Sequence, residues 1–288
     1  MIPGAFAYHR PASVSDAVAL LADLGEDARP LAGGHSLIPI MKLRLAAPAH
    51  LVDLAAIADL RGIRADGNEI VIGAMTTQQE IIASELLAAK VPILGEAARL
   101  IADPQVRSVG TIGGNAANGD PGNDMPAVMM ALGAAYRLAG KAGERTVAAR
   151  DYYRGVYLTA LDPGEILTAI RVPIPAAGSG YAYEKLKRKV GDYATAAAAV
   201  VMTLRGQSVG SCAIGLTNVA DRALFAEEAA KIVTGSTLDA ATLAKALAAA
   251  ERITSPATDG HGPAEYRTKM AGVMVRRALL RAKARAAG

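Results

Sequence analysis

Two short segments combine a pair of glycines with hydrogen-bonding side chains, a pattern suited to binding an anion. They are Ala32-Gly33-Gly34-His35-Ser36 and Thr111-Ile112-Gly113-Gly114-Asn115. Because glycine lacks a Cβ, the backbone can approach a phosphate closely and donate its amide hydrogens to the phosphate oxygens. The first segment lies between a predicted strand and a predicted helix, where the helix dipole also favours an anion. Two such segments would hold a pyrophosphate from both sides.

Neither segment matches a common nucleotide-binding motif. The G-x-G-x-x-G fingerprint of dinucleotide-binding domains is missing from both, and no Gly-Lys-Ser/Thr follows, as it does in phosphate-binding P-loops. A pair of glycines is also typical of an ordinary tight turn. For either segment taken alone, that alternative stays open.

The elements around the two segments differ. Around the first, strand 29–32, helix 36–45 and strand 50–54 predict a βαβ unit, and four apolar residues would share one helix face: Leu37, Ile40, Met41 and Leu45. The second segment falls in a stretch rich in Gly, Asn and Asp, predicted as a long loop over Val109–Asp124. Long loops in compact domains are often functional.

The rest of the chain predicts an α+β fold. Beyond residue 180, strands are expected first and helices last, with the sheet of that part covered on one side. The stretch from Pro173 to Gly180, rich in Pro, Ala, Gly and Ser, predicts a domain boundary. The expected strands are 63–72 (a hairpin), 136–139, 145–148, 165–172, 181–187, 194–205 and 208–216, and the expected helices are 93–102, 223–233, 239–252 and 266–286.

Composition excludes several classes of site. The 288 residues are 52% hydrophobic, enough for two domains, and a net charge of +4 is too small to favour nucleic-acid binding. Cys212 is the only cysteine, so this chain forms no internal disulfide and no cysteine-ligated iron–sulfur or zinc site. We interpret Cys212 as a small core residue. The longest apolar run, 194–204, is too short to cross a bilayer, and we expect a cytoplasmic protein that is not transmembrane.

Longer strings around both segments carry a family resemblance. The strings are Arg29–Pro39, Gln105–Ala117, Asp120–Asp124, Glu165–Leu167 with Val172-Pro173, and Lys185–Lys189. They resemble the FAD-binding subunits of the molybdenum hydroxylase family, which includes xanthine dehydrogenase and aerobic carbon monoxide dehydrogenase. Their order and spacing hold from Ala5 to near the C-terminus. The string Lys189–Ala194 is most similar to the medium subunit of aerobic carbon monoxide dehydrogenase.

The resemblance implies a domain organisation. Residues 1–175 would form a two-part FAD-binding domain like that of vanillyl-alcohol oxidase (the PCMH type), with subdomains of about 1–57 and 58–175. Residues 178–288 would form an α+β domain with an antiparallel sheet and helices, like the C-terminal domain of carbon monoxide dehydrogenase flavoproteins. This second domain would contribute to the flavin site and to subunit contacts.

The resemblance also implies cofactor-binding residues. Both glycine segments would hold the FAD pyrophosphate, with His35 contacting it or stabilising its loop. Asp124 would bind FAD, Leu167 would line the flavin, and the Lys185 cation would approach the flavin and stabilise its reduced anionic ring. Tyr193 would approach the isoalloxazine ring. Alternatives stay open: Asp124 as a helix cap, Lys185 facing solvent, and Tyr193 as a core aromatic. No catalytic or metal-binding residue is predicted.

The implied function is electron transfer within a larger oxidoreductase. A large subunit with a molybdenum cofactor would oxidise substrate, and a small subunit with two [2Fe-2S] clusters would pass electrons to this chain's FAD. The acceptor would be a quinone or similar. The family assembles as a dimer of heterotrimers, so any association with the inner face of the membrane would run through partners.

Two other functions remain open. One is a self-contained FAD oxidoreductase of the same fold, which would need its own proton donor and substrate pocket. The other is a non-catalytic nucleotide-binding module that regulates a partner. The basic stretch Arg276–Arg285 is interpreted separately, as a solvated helix face or a subunit contact.

Overall fold

The computed structural model describes residues 2–287, and Met1 and Gly288, the outer limits of the two predicted domains, lie outside them. The chain begins with a small parallel sheet in the order β1-β3-β2. The predicted βαβ unit is confirmed, because β2 and β3 pair in parallel and are joined by α2. The elements are β1 (Ala7–His9), α1 (Val14–Leu24), β2 (Ala28–Leu31), α2 (Leu37–Lys42) and β3 (His50–Asp53).

The helix α2 is shorter than predicted. It ends at Lys42, and the backbone at Arg44 turns left-handed with φ of 58°, which a continuing helix does not allow. Leu45 therefore lies outside the helix and is 76% exposed. Of the four residues expected to share an inner face, only Met41 is fully buried.

The middle of the chain forms a five-stranded antiparallel sheet in the order β4-β5-β10-β6-β7, packed against helices. The predicted hairpin is confirmed, with Asp66 opposite Glu69. The elements are β4 (Ile63–Asp66), β5 (Glu69–Gly73), α3 (Gln78–Ala83), α4 (Glu85–Lys90), α5 (Pro92–Ala98), α6 (Pro104–Val109), α7 (Ile112–Asn118), α8 (Asp124–Leu132), β6 (Ala135–Gly140), β7 (Gly143–Ala148), α9 (Ala149–Tyr152), β8 (Tyr153–Gly155), β9 (Leu158–Thr159) and β10 (Ile166–Pro173).

The long loop predicted over Val109–Asp124 is wrong, because the helix α7 occupies its centre. Glycine and asparagine are poor helix formers, so the composition gave no helical signal. The helix forms because the Thr111 hydroxyl accepts the amide of Gly114 at its start. It ends at Gly119, whose left-handed backbone (φ 62°) closes the last turn.

The last part of the chain forms a four-stranded antiparallel sheet with three helices. The helix predicted over 223–233 begins only at Glu227, because Leu224–Phe225 pairs with the sheet instead. The helix predicted over 93–102 likewise ends at Ala98. The elements are β11 (Gly180–Leu186), β12 (Ala196–Arg205), β13 (Ser208–Thr217), β14 (Leu224–Phe225), α10 (Glu227–Val233), α11 (Ala240–Arg252) and α12 (Ala264–Ala287).

This last sheet is covered on both faces, not on one as predicted. Along β12, Ala198 and Val200 pack with α10, α11 and α12, whereas Ala197 and Ala199 belong to the core that includes Val128 of α8. A strand buried on both faces needs apolar residues at every position, which explains the uninterrupted apolar run 196–202.

Three basic residues of α12 differ from their interpretation as a solvated face, whereas Arg276 and Arg277 are exposed as expected. Arg281 and Arg285 both bond to Glu96, at 3.4 and 2.7 Å, and Lys283 donates to the carbonyl of Thr237 at 2.7 Å. These cations therefore tie α12 to the rest of the molecule. Within residues 2–287, no helix combines the length and apolar character needed to cross a membrane.

Candidate functional site

The two glycine segments lie in contact. We call Ala32–Ser36 the first corner and Thr111–Asn115 the second corner. A Cβ placed on Gly114 would stand 3.2 Å from the Cβ of Ala32, and a Cβ on Gly33 would overlap the carbonyl of Val109, two residues before the second corner. The missing side chains are what allow this approach. The structure thus brings together two segments that are 75 or more residues apart in the sequence.

The first corner presents amides that have no partner in the protein. Among the residues that the structure describes, no acceptor lies within hydrogen-bond range of the amides of Gly33, Gly34, His35, Ser36 and Leu37. His35 and Ser36 are exposed, and both glycines are half-buried. Consecutive free amides followed by the start of α2 make this corner suited to an anion.

The second corner differs from the expected symmetry, because its amides are already used. The Gly114 and Asn115 amides bond back to Thr111, and the two before them reach strand-end carbonyls. The four bonds are Ile112 N to Thr76 O (2.9 Å), Gly113 N to Ala74 O (2.8 Å), Gly114 N to Thr111 Oγ1 (3.0 Å) and Asn115 N to Thr111 O (3.0 Å). The second corner therefore offers side chains more readily than amides.

One side chain of the second corner and one beside it have buried polar atoms without a hydrogen-bond partner among the described residues. Asn115 Oδ1 is buried with no hydrogen-bond partner within the described chain, and so are both amide atoms of Gln78. The Gln78 backbone amide donates to the carbonyl of Gly110, beside the corner, at 2.9 Å. Unsatisfied buried polar atoms are costly unless a ligand or water meets them. Nothing in the sequence pattern pointed to Gln78.

Asp124 and Lys185 form a buried ion pair between α8 and β11. Lys185 Nζ lies 2.8 Å from Asp124 Oδ2, their side chains are 1% and 5% exposed, and Nζ also reaches the carbonyl of Leu100 at 3.2 Å. The Tyr183 hydroxyl donates to the other carboxylate oxygen. Burial raises the pKa of Asp124, and Lys185 opposes that rise.

The pair settles two alternatives left open by the sequence. Lys185 does not face solvent. Asp124 is not a helix cap, because its oxygens bond to Tyr183 and Lys185 and the capping position is Asn123. Whether either group touches FAD stays a prediction.

Tyr193 and Leu167 lie in contrasting surroundings. Tyr193 is 46% exposed, so its alternative as a core aromatic is wrong. Its hydroxyl donates to Asp120 Oδ2 at 3.2 Å. Leu167 is 4% exposed within β10, at a point where the pairing with β6 shifts register after Leu167. Both remain predicted flavin neighbours.

Three further observations concern His261, Cys212 and metal binding. His261 has partners that the sequence did not reveal: its Nδ1 lies 3.2 Å from Asp259 and its Nε2 3.7 Å from Asp192. Burial raises the pKa of the partly buried Cys212 to about 12, which does not suit a nucleophile. Within residues 2–287, no group of three or more His, Cys, Asp or Glu side chains is placed to hold a metal ion.

The two cavities described lie elsewhere. The larger, of about 640 Å³, is lined by residues that include Val91, Pro175 and Tyr181, and the smaller, of about 370 Å³, by residues that include Arg150 and Cys212. No predicted site residue lines either of them.

Comparison with protein families identifies the chain. Residues 4–175 match the FAD binding domain in molybdopterin dehydrogenase, and residues 181–282 match the CO dehydrogenase flavoprotein C-terminal domain. The chain belongs to the family of FAD-binding subunits of molybdopterin dehydrogenases. It is therefore a flavoprotein subunit of an oxidoreductase, and the resemblance and the α+β fold expected from the sequence are confirmed.

Full-length relatives in this family are known. The chain is 69% identical to the carbon monoxide dehydrogenase medium chain of Afipia carboxidovorans over 99% of both chains. It is 52% identical to the corresponding chain of Hydrogenophaga pseudoflava over the full length of both. A solved structure of Cu,Mo-CO dehydrogenase in a cyanide-inactivated form contains a chain that is 69% identical and superposes with a TM-score of 0.98, covering 99% of this chain and 100% of that one.

The residues of this flavoprotein subunit fit FAD. Five free amides at the first corner match the need of a pyrophosphate for donors, and the unpaired Asn115 Oδ1 matches a cofactor hydroxyl or amide. The side chains that glycine omits would otherwise fill the contact between the corners. The free amides of the first corner and the unpaired Asn115 Oδ1 therefore suit a phosphate group and one further polar contact.

Proposed function

We propose that the chain is the FAD-binding medium subunit of a carbon monoxide dehydrogenase. The contact between the two corners, with free amides on the first, is the observation that carries the flavin assignment. Carbon monoxide as substrate rests on the full-length similarity to medium chains of that name. FAD, when bound, would collect electrons released at partner centres and hand them to an external acceptor, a quinone or similar.

The first corner would bind the pyrophosphate. The amides of Gly33, Gly34, His35 and Ser36 donate to phosphate oxygens, and the absence of side chains on the glycines permits close approach. His35 adds an imidazole at the exposed rim. With the amide of Leu37, five adjacent donors would hold the anion without a cation in direct contact.

The second corner would complete the grip with side chains. The Thr111 hydroxyl accepts the Gly114 amide and keeps its own hydrogen for donation. Asn115 supplies an unpaired Oδ1, while Ile112 and Gly113 fix the corner to the central sheet through their backbone bonds. The first corner thus provides free backbone amides, whereas the backbone of the second corner is bonded to the protein.

Side chains farther along the chain would surround the flavin. Asp124 and Lys185 hold β11 against α8, and the Lys185 ammonium, partly offset by Asp124, would favour the reduced anionic form of a ring placed near it. Leu167 supplies an apolar wall and Tyr193 an aromatic face. Together they would exclude water from one side of the ring.

The redox centres before FAD belong to partner chains in this proposal. One cysteine cannot ligate an iron–sulfur cluster, so the clusters lie on a small subunit and the molybdenum cofactor on a large one. The assembly is a dimer of heterotrimers. It resides in the cytoplasm, with any contact to the inner face of the membrane made by partners.

The test uses the complex purified with its natural partners. We expect one FAD for each copy of this chain, and bleaching of the flavin absorbance when carbon monoxide is added without an acceptor. A complex without flavin would contradict the FAD assignment. A flavin that carbon monoxide leaves oxidised, but another substrate reduces, would contradict the carbon monoxide assignment alone.

A further inference from the structure

A single carboxylate joins two tyrosines from separate parts of the chain. Asp120 Oδ2 accepts the hydroxyl of Tyr157, in the turn between β8 and β9, and the hydroxyl of Tyr193, ahead of β12. Both distances are 3.2 Å. Asp120 therefore fixes the position of Tyr193 relative to the central part of the molecule.

Asp120 is itself held rigidly to the second corner. The helix α7 begins at the second corner and ends at Asn118, and only Gly119 separates it from Asp120. Its Oδ1 accepts the amide of Gly122 at 2.8 Å. The carbonyl of Pro121 accepts the amide of Asn218 at 3.0 Å, which ties the turn to the last sheet.

The tyrosine ring lies directly on this turn. A Cβ added to Gly122 would stand 2.8 Å from Cδ1 of Tyr193, closer than real side chains approach. Partial burial and the nearby Asp120 charge both raise the pKa of Tyr193, and its hydroxyl is a donor at neutral pH. The Tyr193 ring therefore packs against Gly122, and its hydroxyl is held by Asp120.

We propose that Asp120 is a positioning residue that sets the orientation of the Tyr193 ring and so controls how firmly the flavin is held. This inference rests on the proposed function, in which Tyr193 borders the flavin. Because only α7 and Gly119 separate the second corner from Asp120, a shift of the corner would also shift Asp120 and the Tyr193 ring bonded to it. Tyr157 supports Asp120 from the other side.

A double-mutant cycle in the assembled complex tests the proposal. The variants are Asp120→Ala, Tyr193→Phe and the pair together, and the measured quantity is the rate constant for FAD dissociation, followed by flavin absorbance. A hydrogen bond to a charged group is worth about tenfold at a partly exposed site. We expect each single change to speed dissociation about tenfold, and the pair to show that same tenfold effect.

The control is Tyr157→Phe, which removes a hydroxyl bond to the same carboxylate but leaves Tyr193 attached. It should change the dissociation rate less than about threefold. Gly122→Ala, whose Cβ would press on the Tyr193 ring and would also stand 3.2 Å from Asp120 Oδ1, should speed dissociation as Tyr193→Phe does.

A second readout does not depend on flavin. The pKa of Tyr193, followed by the ¹³C NMR signal of its ring in the full chain, should fall in Asp120→Ala. An unchanged pKa, or single effects that multiply to about a hundredfold in the double variant, would overturn the proposal. If the wild-type complex holds no flavin, the proposed function fails, and the pKa measurement still decides whether Asp120 positions Tyr193.

Discussion

Lys185→Met removes a cation from a buried carboxylate while keeping a side chain of similar length. Lys185 and Asp124 are 1% and 5% exposed in their side chains, and their charged atoms are 2.8 Å apart. After the change, Asp124 would keep only the Tyr183 hydroxyl as a side-chain partner. The interface between α8 and β11 would then contain an uncompensated buried charge.

The expected cost follows from that burial. Removing one partner of a buried ion pair destabilises a protein by about 3–5 kcal/mol, because the remaining charge has lost both water and its counter-ion. Protonation of Asp124, whose pKa is already raised by burial, would recover part of this loss. We therefore expect a loss of about 3 kcal/mol at neutral pH.

Urea unfolding of the full chain, followed by circular dichroism, measures the effect. Lys187→Met is the matched control, because Lys187 Nζ approaches the same Leu100 carbonyl, at 3.4 Å, but forms no ion pair with Asp124. The control should cost less than about 1 kcal/mol. Lys185→Met combined with Asp124→Asn should regain part of the lost stability, since no buried charge is then left.

Two results would refute this reasoning. If Lys185→Met costs no more than Lys187→Met, the ion pair does not stabilise the contact between α8 and β11. If the double variant is less stable than Lys185→Met alone, the loss comes from packing and not from an uncompensated charge.

Three further predictions concern the corners and Asp124. Gly114→Val should abolish FAD retention with the fold largely intact, because its side chain would meet Ala32 and Thr111; Gly4→Val, which has open space around it, should retain flavin, and equal flavin content in both would contradict the contact. Thr111→Val should cost about 1 kcal/mol of stability in urea unfolding, because it removes the cap on the Gly114 amide, and no loss would contradict the cap. Because the pKa of Asp124 is raised above 3.8 in the folded chain, its stabilising contribution is complete below that pH and is lost as pH rises through the folded-state pKa. Asp124→Asn should therefore flatten the fall in unfolding free energy above pH 4, and an unchanged slope would contradict the raised pKa.

Local patterns allowed much of the fold to be predicted. Ser13 and Thr77 carry hydroxyls of the kind that cap helices, and each lies directly before a helix (α1 and α3) and accepts a backbone amide from its first turn. The Asp-Gly-Asn hairpin and the βαβ unit follow from equally local signals. The helix α7 did not, because its residues are individually poor helix formers and only the Thr111 cap and the packing around Gly113 stabilise it.

The features that the sequence did not reveal depend on contacts between residues that are far apart in the chain. The pairing of Asp124 with Lys185 spans 61 residues and depends on how β11 packs on α8. Both corners contain the same Gly-Gly sequence, but only the amides of the second corner have acceptors in the protein. The carbonyls of Thr76 and Ala74 lie beside the second corner and accept two of its amides. The two-sided covering of the last sheet likewise depends on α8, which lies far earlier in the chain.

Amide hydrogen exchange in the assembled complex, with and without FAD, tests the central claim most directly. The amides of residues 33–37 have no protein acceptor, so they should exchange quickly without FAD and slowly with it. The amides of 112–115 should be protected in both states. If FAD leaves residues 33–37 unprotected, the first corner does not hold the pyrophosphate.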